Sequence, residues 1–210
     1  AASDVYKRQI GNRKFDSTHT TPDSITLNYM LREMVKENCK FCFMEVSSHS
    51  LSQFRVYAIK YKVGVFTNIS HDHLDYHKTF ENYLRTKKSF FDSLAVDSKL
   101  IYNSDDKNSL KIVKDSNAEI KTYSIRNKTD YTCKVIESTI DGLHLKINNK
   151  EIYTRVCGEF NAYNLLAAYA TCIELNLQKE MVLIAISNIV AAEGRFEIIK
   201  NKNSFWLWRR

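Results

Sequence analysis

Two apolar runs without alternation dominate the first third of the chain. Phe41-Cys42-Phe43-Met44-Glu45-Val46 leads straight into Ser47-Ser48-His49-Ser50, and Val63-Gly64-Val65-Phe66-Thr67 leads into Asn68-Ile69-Ser70-His71-Asp72-His73-Leu74-Asp75-Tyr76-His77. Short continuous apolar runs are what strands buried on both faces of a parallel sheet look like. In open α/β sheets, ligands bind in the crevice at the carboxyl ends of such strands. Both ends here carry carboxylates, imidazoles and hydroxyls, the groups that hold Mg²⁺, phosphate and sugar. The pattern predicts an enzyme site at adjacent strand ends.

The rest of the pattern supplies the frame. Thr20-Thr21-Pro22-Asp23-Ser24 is a helix-start signal, and Leu27, Met30, Leu31 and Met34 then recur at helical spacing, which predicts a helix over roughly 24–37. Ser47 to Val56 reads as a short helix or turn, His71 to Lys78 as a loop, and about 79–94 as a helix. A third strand is expected at 99–103, a helix from Asp106 to Asp115 and a fourth strand at 120–124. From Tyr131 to Val156 the period changes to two, as in Leu143-His144-Leu145-Lys146-Ile147, with Asp141-Gly142 and Asn148-Asn149 as hairpin turns. Helices at about 160–175 and 179–190 close the domain. The fold class is α/β: a mostly parallel sheet flanked by helices, with a small antiparallel sheet.

Composition narrows the setting. A chain of 210 residues, 44% hydrophobic, suits one large domain, or else two small ones, with an ample core. No apolar run approaches the ~20 residues of a membrane span, and no signal-peptide pattern opens the chain, so a cytoplasmic location is expected. The net charge of +7 fits a solvated lysine-rich face, or attraction of an anionic substrate such as a nucleotide. No basic stripe is interleaved with aromatics, so nucleic acid is not an expected partner. Five scattered cysteines suit reduced thiols, and Cys39-x-x-Cys42 lacks the further ligands of a zinc site. Residues 1–9 carry no pattern leading into an element and read as foreign or disordered, and 201–210 read as a divergent or truncated end.

The helix at 79–94 is chemically odd. Its apolar stripe is Phe80, Tyr83, Leu84, Phe91 and Leu94, and Lys87 lies on the same stripe. A core-facing lysine is costly unless paired, neutral or modified. Alone, Lys87 is best read as a snorkelling side chain. Asp72, His73 and Asp75 from the preceding loop and Glu45 from the strand end change that reading, because carboxylate and imidazole are ligands suited to Mg²⁺ or Mn²⁺. A desolvated, neutral lysine amine can react with CO₂ to give a carbamate, an anionic metal ligand.

These residues resemble a known family. Thr20-Thr21-Pro22-Asp23, Met44-Glu45-Val46-Ser47-Ser48-His49-Ser50-Leu51, Gln53-x-Arg55-Val56, the run from Phe66 to His77, Gly158-x-Phe160-Asn161-x-x-Asn164 and Gly194-Arg195-Phe196-Glu197 resemble the central domain of the Mur ligases, most of all the MurE type. The resemblance covers about Ile10 to Ile199. It implies an ATP-dependent ligase of peptidoglycan synthesis, hence of cell shape and division. Such an enzyme adds a diamino acid, meso-diaminopimelate or L-lysine, to UDP-MurNAc-L-Ala-D-Glu through an acyl phosphate, with Mg²⁺ as cofactor and ATP as co-substrate. Position by position it implies Glu45, His73 and Lys87, the last carbamylated, as metal ligands and catalytic groups. It implies Thr20, Thr21, Ser47, Gln53 and Arg55 as contacts to the UDP-MurNAc-dipeptide. It implies Asn161, Asn164 and Arg195 beside the nucleotide. Asn161 also suits helix capping.

The sequence departs from that family in places. No G-x-x-G-K-[ST] phosphate loop precedes Thr20, His71 stands where arginine is common, and no proline precedes Gly194. The expectation is a central-domain fragment over 10–200, monomeric and inactive by itself. A folylpolyglutamate synthetase-like ligase, or a non-catalytic nucleotide- or metal-binding module, are the alternatives.

Overall fold

The computed structural model describes residues 2–3, 8–16, 19–190, 195–201 and 204–209. The chain divides into two compact units: Ala1–Lys60 with His71–Ser93, and Tyr61–Ser70 with Leu94–Arg210.

In the first unit, strands β1 (Ala2–Ser3), β2 (Arg8–Ile10), β3 (Arg13–Phe15) and β4 (Phe43–Met44) form a sheet of order β3-β2-β1-β4. Only the β1–β4 pairing is parallel. Helix α1 (Ser24–Lys36) starts as its pattern predicts: the Asp23 carboxylate caps it by accepting from Ile25 N and Thr26 N, at 3.0 and 2.9 Å. Its stripe of Met30 and Met34 packs with Ile10. Helix α2 (Ser48–Ser52), the single turn α3 (Leu74–His77) and α4 (Phe80–Asp92) complete the unit.

Three expectations are corrected here. The first apolar run yields only the two-residue β4, and it pairs with β1 rather than with the second run. Just past the Ser3–Met44 pair, the Glu45 carbonyl accepts a hydrogen bond from the Thr21 hydroxyl at 2.8 Å, and the same hydroxyl accepts from Ser47 N at 3.2 Å. The segment 71–78 is not all loop: His73, at φ +56°, launches α3 from a left-handed conformation. The start of the chain also carries more structure than its pattern suggests, since Ala2–Ser3 and Arg8–Ile10 are strands and Ile10 is 1% exposed.

In the second unit, β5 (Val63–Phe66), β6 (Lys99–Asn103), β7 (Glu119–Ser124), β8 (Tyr131–Thr139), β9 (Gly142–Ile147) and β10 (Lys150–Thr154) form one six-stranded sheet of order β10-β9-β8-β7-β6-β5. The pairings from β5 to β8 are parallel and those from β8 to β10 antiparallel, so the small antiparallel sheet is continuous with the parallel one. The hairpin turns fall where the sequence places them. Asn148 and Asn149 both have positive φ, and a Cβ on Gly142 would meet Thr154 O at 1.8 Å. Helix α6 (Phe160–Glu174) lays Ala162, Leu165, Leu166, Tyr169 and Ala170 over Ile101, Tyr123 and Leu145, all buried. Helices α5 (Ser109–Val113) and α7 (Lys179–Ser187) add Ile112, Val182 and Ile186. Burying each such side chain contributes about 1.5–3 kcal/mol against chain entropy. β11 (Arg195–Asn201) and β12 (Ser204–Arg209) pair antiparallel, β12 lying in the stretch 201–210 read as divergent. All five cysteines are free thiols: Cys133 and Cys157 are buried in the second unit, and Cys42 is exposed in the first. Among the described residues no helix is long and apolar enough to cross a membrane.

Candidate active site

The geometry of the first unit centres on α4. Its amino end is capped by Thr79, whose hydroxyl accepts from Asn82 N at 3.2 Å. One face buries Tyr83, Leu84, Phe90 and Phe91. Lys87, one turn beyond Tyr83 on that face, is half-buried, and its Nζ lies 5.5 Å from the Tyr83 ring centre. His73 meets the same ring edge-on, at 5.9 Å between centroids. Glu45 and Asp72 lie near enough for their charges to act on both Lys87 and Tyr83.

Electrostatics set Lys87 apart. Burial pushes its amine below the usual lysine range, against the opposing pull of Glu45 and Asp72. Among the described residues its Nζ makes no hydrogen bond or ion pair. Also among the described residues, no three of His, Cys, Asp and Glu gather closely enough to hold a metal ion. A carboxylate and an imidazole are too few donors to fix a metal ion by themselves; a carboxylate-like group on Lys87, whose charge interacts with Glu45, would add an oxygen donor of the kind Mg²⁺ takes.

Imidazoles and phenols line the same place. His49 lies 5.1 Å from His73 and 4.2 Å from Tyr76, centroid to centroid. Burial, and then the neighbouring His73, lower the His49 pKa. His77, 6% exposed, bonds through Nε2 to Ser48 Oγ at 2.9 Å. His71 stacks instead on Phe80 at 4.4 Å.

The residues expected at the UDP-MurNAc-dipeptide form one hydrogen-bonded group. Arg55 donates to Thr21 O at 2.9 Å and to Gln53 Oε1 at 2.8 Å, while Gln53 Nε2 reaches Tyr76 OH at 3.4 Å. Thr21 is 1% exposed and both of its described hydroxyl bonds are internal, to Glu45 O and Ser47 N. Ser47 Oγ caps α2 by accepting from Ser50 N. Thr20 is half-buried on the same strand-to-helix connection. Thr21 and Ser47 thus hold this face together, and Gln53 and Arg55 are its more accessible polar groups.

In the second unit, Gly158 at φ +85° turns the chain into α6; a Cβ there would strike the Phe160 ring at 2.4 Å. Asn161 Nδ2 donates to Cys157 O at 2.7 Å, and Asn164 Nδ2 donates to Asn161 Oδ1 at 3.0 Å, so the pair is preorganised at the start of the helix. Asn161 does not cap by accepting a backbone N–H. Arg195 opens β11, and its side chain lies outside the described residues. Sequence reasoning missed Asn103, Asp105 and Asp106. Asn103 donates to Thr67 O at 3.0 Å, and Asp106 accepts from Ile69 N at 3.1 Å, clasping the turn that presents Asn68. Asp105 accepts from Tyr163 OH of α6 at 3.1 Å. A polar Asn-x-Asp-Asp cluster right after the third apolar strand was the available signal.

The first unit sets a lysine with a lowered amine pKa beside Tyr83 on α4, near an imidazole and within reach of carboxylate charge; the second sets an asparagine pair at the start of α6. The pattern of the Mur ligase middle domain matches residues 4–172. The chain belongs to that family. It is 47% identical over 188 residues to the UDP-N-acetylmuramoyl-L-alanyl-D-glutamate–2,6-diaminopimelate ligase of Cytophaga hutchinsonii, covering 90% of this chain and 39% of the relative. It is 37% identical over 207 residues to the ligase of the same name from Bacillus velezensis, covering 94% and 42%. A solved structure of such a ligase superposes with a TM-score of 0.80 at 25% identity, over 96% of this chain and 44% of that one. MurF from Acinetobacter baumannii shares the fold, at a TM-score of 0.75 and 17% identity over 85% of this chain and 40% of that one. The chain spans about two fifths of the length of the curated relatives it matches.

Proposed function

We propose that this chain is the central, ATP-handling domain of a cytoplasmic, monomeric ligase that joins 2,6-diaminopimelate to UDP-MurNAc-L-Ala-D-Glu during peptidoglycan synthesis. The observation that supports the reading is the approach of His73 and the desolvated Lys87 to one ring, that of Tyr83, within reach of the Glu45 charge. Lys87 is the group to be carbamylated: its neutral amine attacks the carbon of CO₂, an N–C bond forms as one C–O π pair moves onto oxygen, and the N–H proton passes to water. Glu45, His73 and the Lys87 carbamate would then hold Mg²⁺, and the chemistry the ion would supply is stabilisation of negative charge during phosphoryl transfer.

The chain's own groups orient the partners. Gln53 and Arg55, with Thr20, Thr21 and Ser47 behind them, form the face for the UDP-MurNAc-dipeptide. Asn161 and Asn164, preorganised by their mutual hydrogen bond, and Arg195 are the groups proposed to meet the adenine nucleotide. Holding two reactants in line can be worth ~7–11 kcal/mol of barrier. The test is phosphate release by the intact gene product. Release should require ATP, Mg²⁺, UDP-MurNAc-dipeptide and diaminopimelate together. Release that proceeds as fast with L-lysine, or without the UDP-MurNAc-dipeptide, would overturn the assignment.

A further inference from the structure

We infer that His77 and Ser48 form a positioning pair that registers the Glu45 segment against the ring carrying Lys87; the inference rests on the ligase reading above. His77 is the last residue of α3 and Ser48 the first of α2, three residues after Glu45. Both are buried, at 6% and 3% exposure, and their bond of 2.9 Å lies away from water. The imidazole is fixed on its other sides as well. It stacks on Tyr83 at 5.2 Å with the rings 29° apart, and Tyr76 meets it edge-on at 4.9 Å. Its own carbonyl accepts from Asn82 Nδ2 of α4 at 3.2 Å.

Tyr83 is the hinge of the argument. The ring that His77 holds is the ring approached by His73 and by Lys87 Nζ. One side chain thus touches both the segment that delivers Glu45 and the platform shared by His73 and Lys87. A buried polar pair is expensive to leave half-made, so its two members specify one arrangement of the elements they join. An apolar contact would permit sliding. His77 acts through Ser48 and Tyr83, which makes it a positioning residue and not a catalytic one.

The test uses the intact gene product and measures phosphate release against Mg²⁺ concentration. In Ser48→Ala, kcat should fall about 10- to 100-fold, the scale of a misplacement near 1 Å. The Mg²⁺ concentration for half-maximal rate should rise, and KM for the UDP-MurNAc-dipeptide should stay within about twofold. Ser48→Thr, which keeps the hydroxyl, should recover most of the loss. Ser48→Ala combined with His77→Leu should be little worse than either alone, because the pair acts as a unit. If Ser48→Ala does not fold, Ser48→Cys, which fills the volume with a weak acceptor, is read by the same criteria. An active parent whose Ser48 variants keep its kcat and Mg²⁺ curve, or lose only melting temperature, overturns the inference alone. A parent without ligase turnover overturns the ligase reading and the inference with it.

Discussion

Lys87 in the first unit and Asp105 in the second are both charged groups set close to an apolar core, and they are treated in opposite ways. Asp105 is saturated: Oδ1 accepts from Ser124 Oγ at 2.7 Å and Asn127 Nδ2 at 3.1 Å, and Oδ2 accepts from Ile125 N at 3.0 Å and Tyr163 OH at 3.1 Å. Burial alone would raise its pKa, but these donors together bring it below the usual carboxylate range. Lys87 has a ring beneath it and carboxylates nearby, but no hydrogen bond among the described residues. The difference separates scaffolding from chemistry. A satisfied charge fixes structure, whereas a half-desolvated, unpaired one keeps free energy available for reaction or ligand.

The sharpest way to break the contrast is Lys87→Ala in the intact protein. Turnover should fall at least ~100-fold, the scale of removing one preorganised group, while the thermal melt stays unchanged or rises. Added acetate should restore part of the rate. Undiminished turnover would remove Lys87 from the chemistry. Asp105→Ala should do the reverse, costing about 2–3 kcal/mol of stability by denaturant titration, because several donors lose a charged partner. Its catalytic loss should appear mainly as a weaker KM for ATP. Thr79→Ala, which uncaps the Lys87 helix, should cost about 1 kcal/mol; hydrogen exchange should quicken in α4 and stay unchanged in α6.

The smallest effect is a pH dependence. Burial, with His49 and His73 nearby, holds His77 below its ordinary 6.5. The unfolded chain then binds the proton first, so this contribution to stability is complete above about 6.5 and is lost as pH falls through the window below it. The denaturant midpoint should drop between pH 7.5 and pH 5 in the parent and drop less in His77→Gln, as read by circular dichroism.

Much of this was legible in the residues. The α1 stripe of Leu27, Met30 and Met34, the α4 stripe around Lys87 and the two-residue period of β9 each follow one local rule, and each element formed within a residue or two of its prediction. The misses share a cause. β4 is only two residues long, and the carbonyl just beyond it, that of Glu45, is taken by Thr21, a side chain 24 positions away. The α3 turn depends on His73 adopting φ +56°, a conformation no periodicity announces. Asp105 was invisible because its partners come from β7, the following loop and α6. Local pattern reports elements; it does not report which distant donor will claim a carbonyl or a carboxylate.

The thiols described with the fold make the molecule its own unfolding reporter. Burial pushes the Cys133 thiol to about 12, and it is only 3% exposed, so at neutral pH it is both protonated and shielded. Cys42 lies open on the other unit. A brief pulse of alkylating reagent on the native protein would therefore mark Cys42 and pass over Cys133. Label at Cys133 after a graded denaturant pulse would register the opening of the six-stranded sheet alone. Mass spectrometry of the Cys133 peptide, read against the Cys42 peptide as an internal reference, would then time the loosening of the second unit in the unmodified sequence and without an engineered probe.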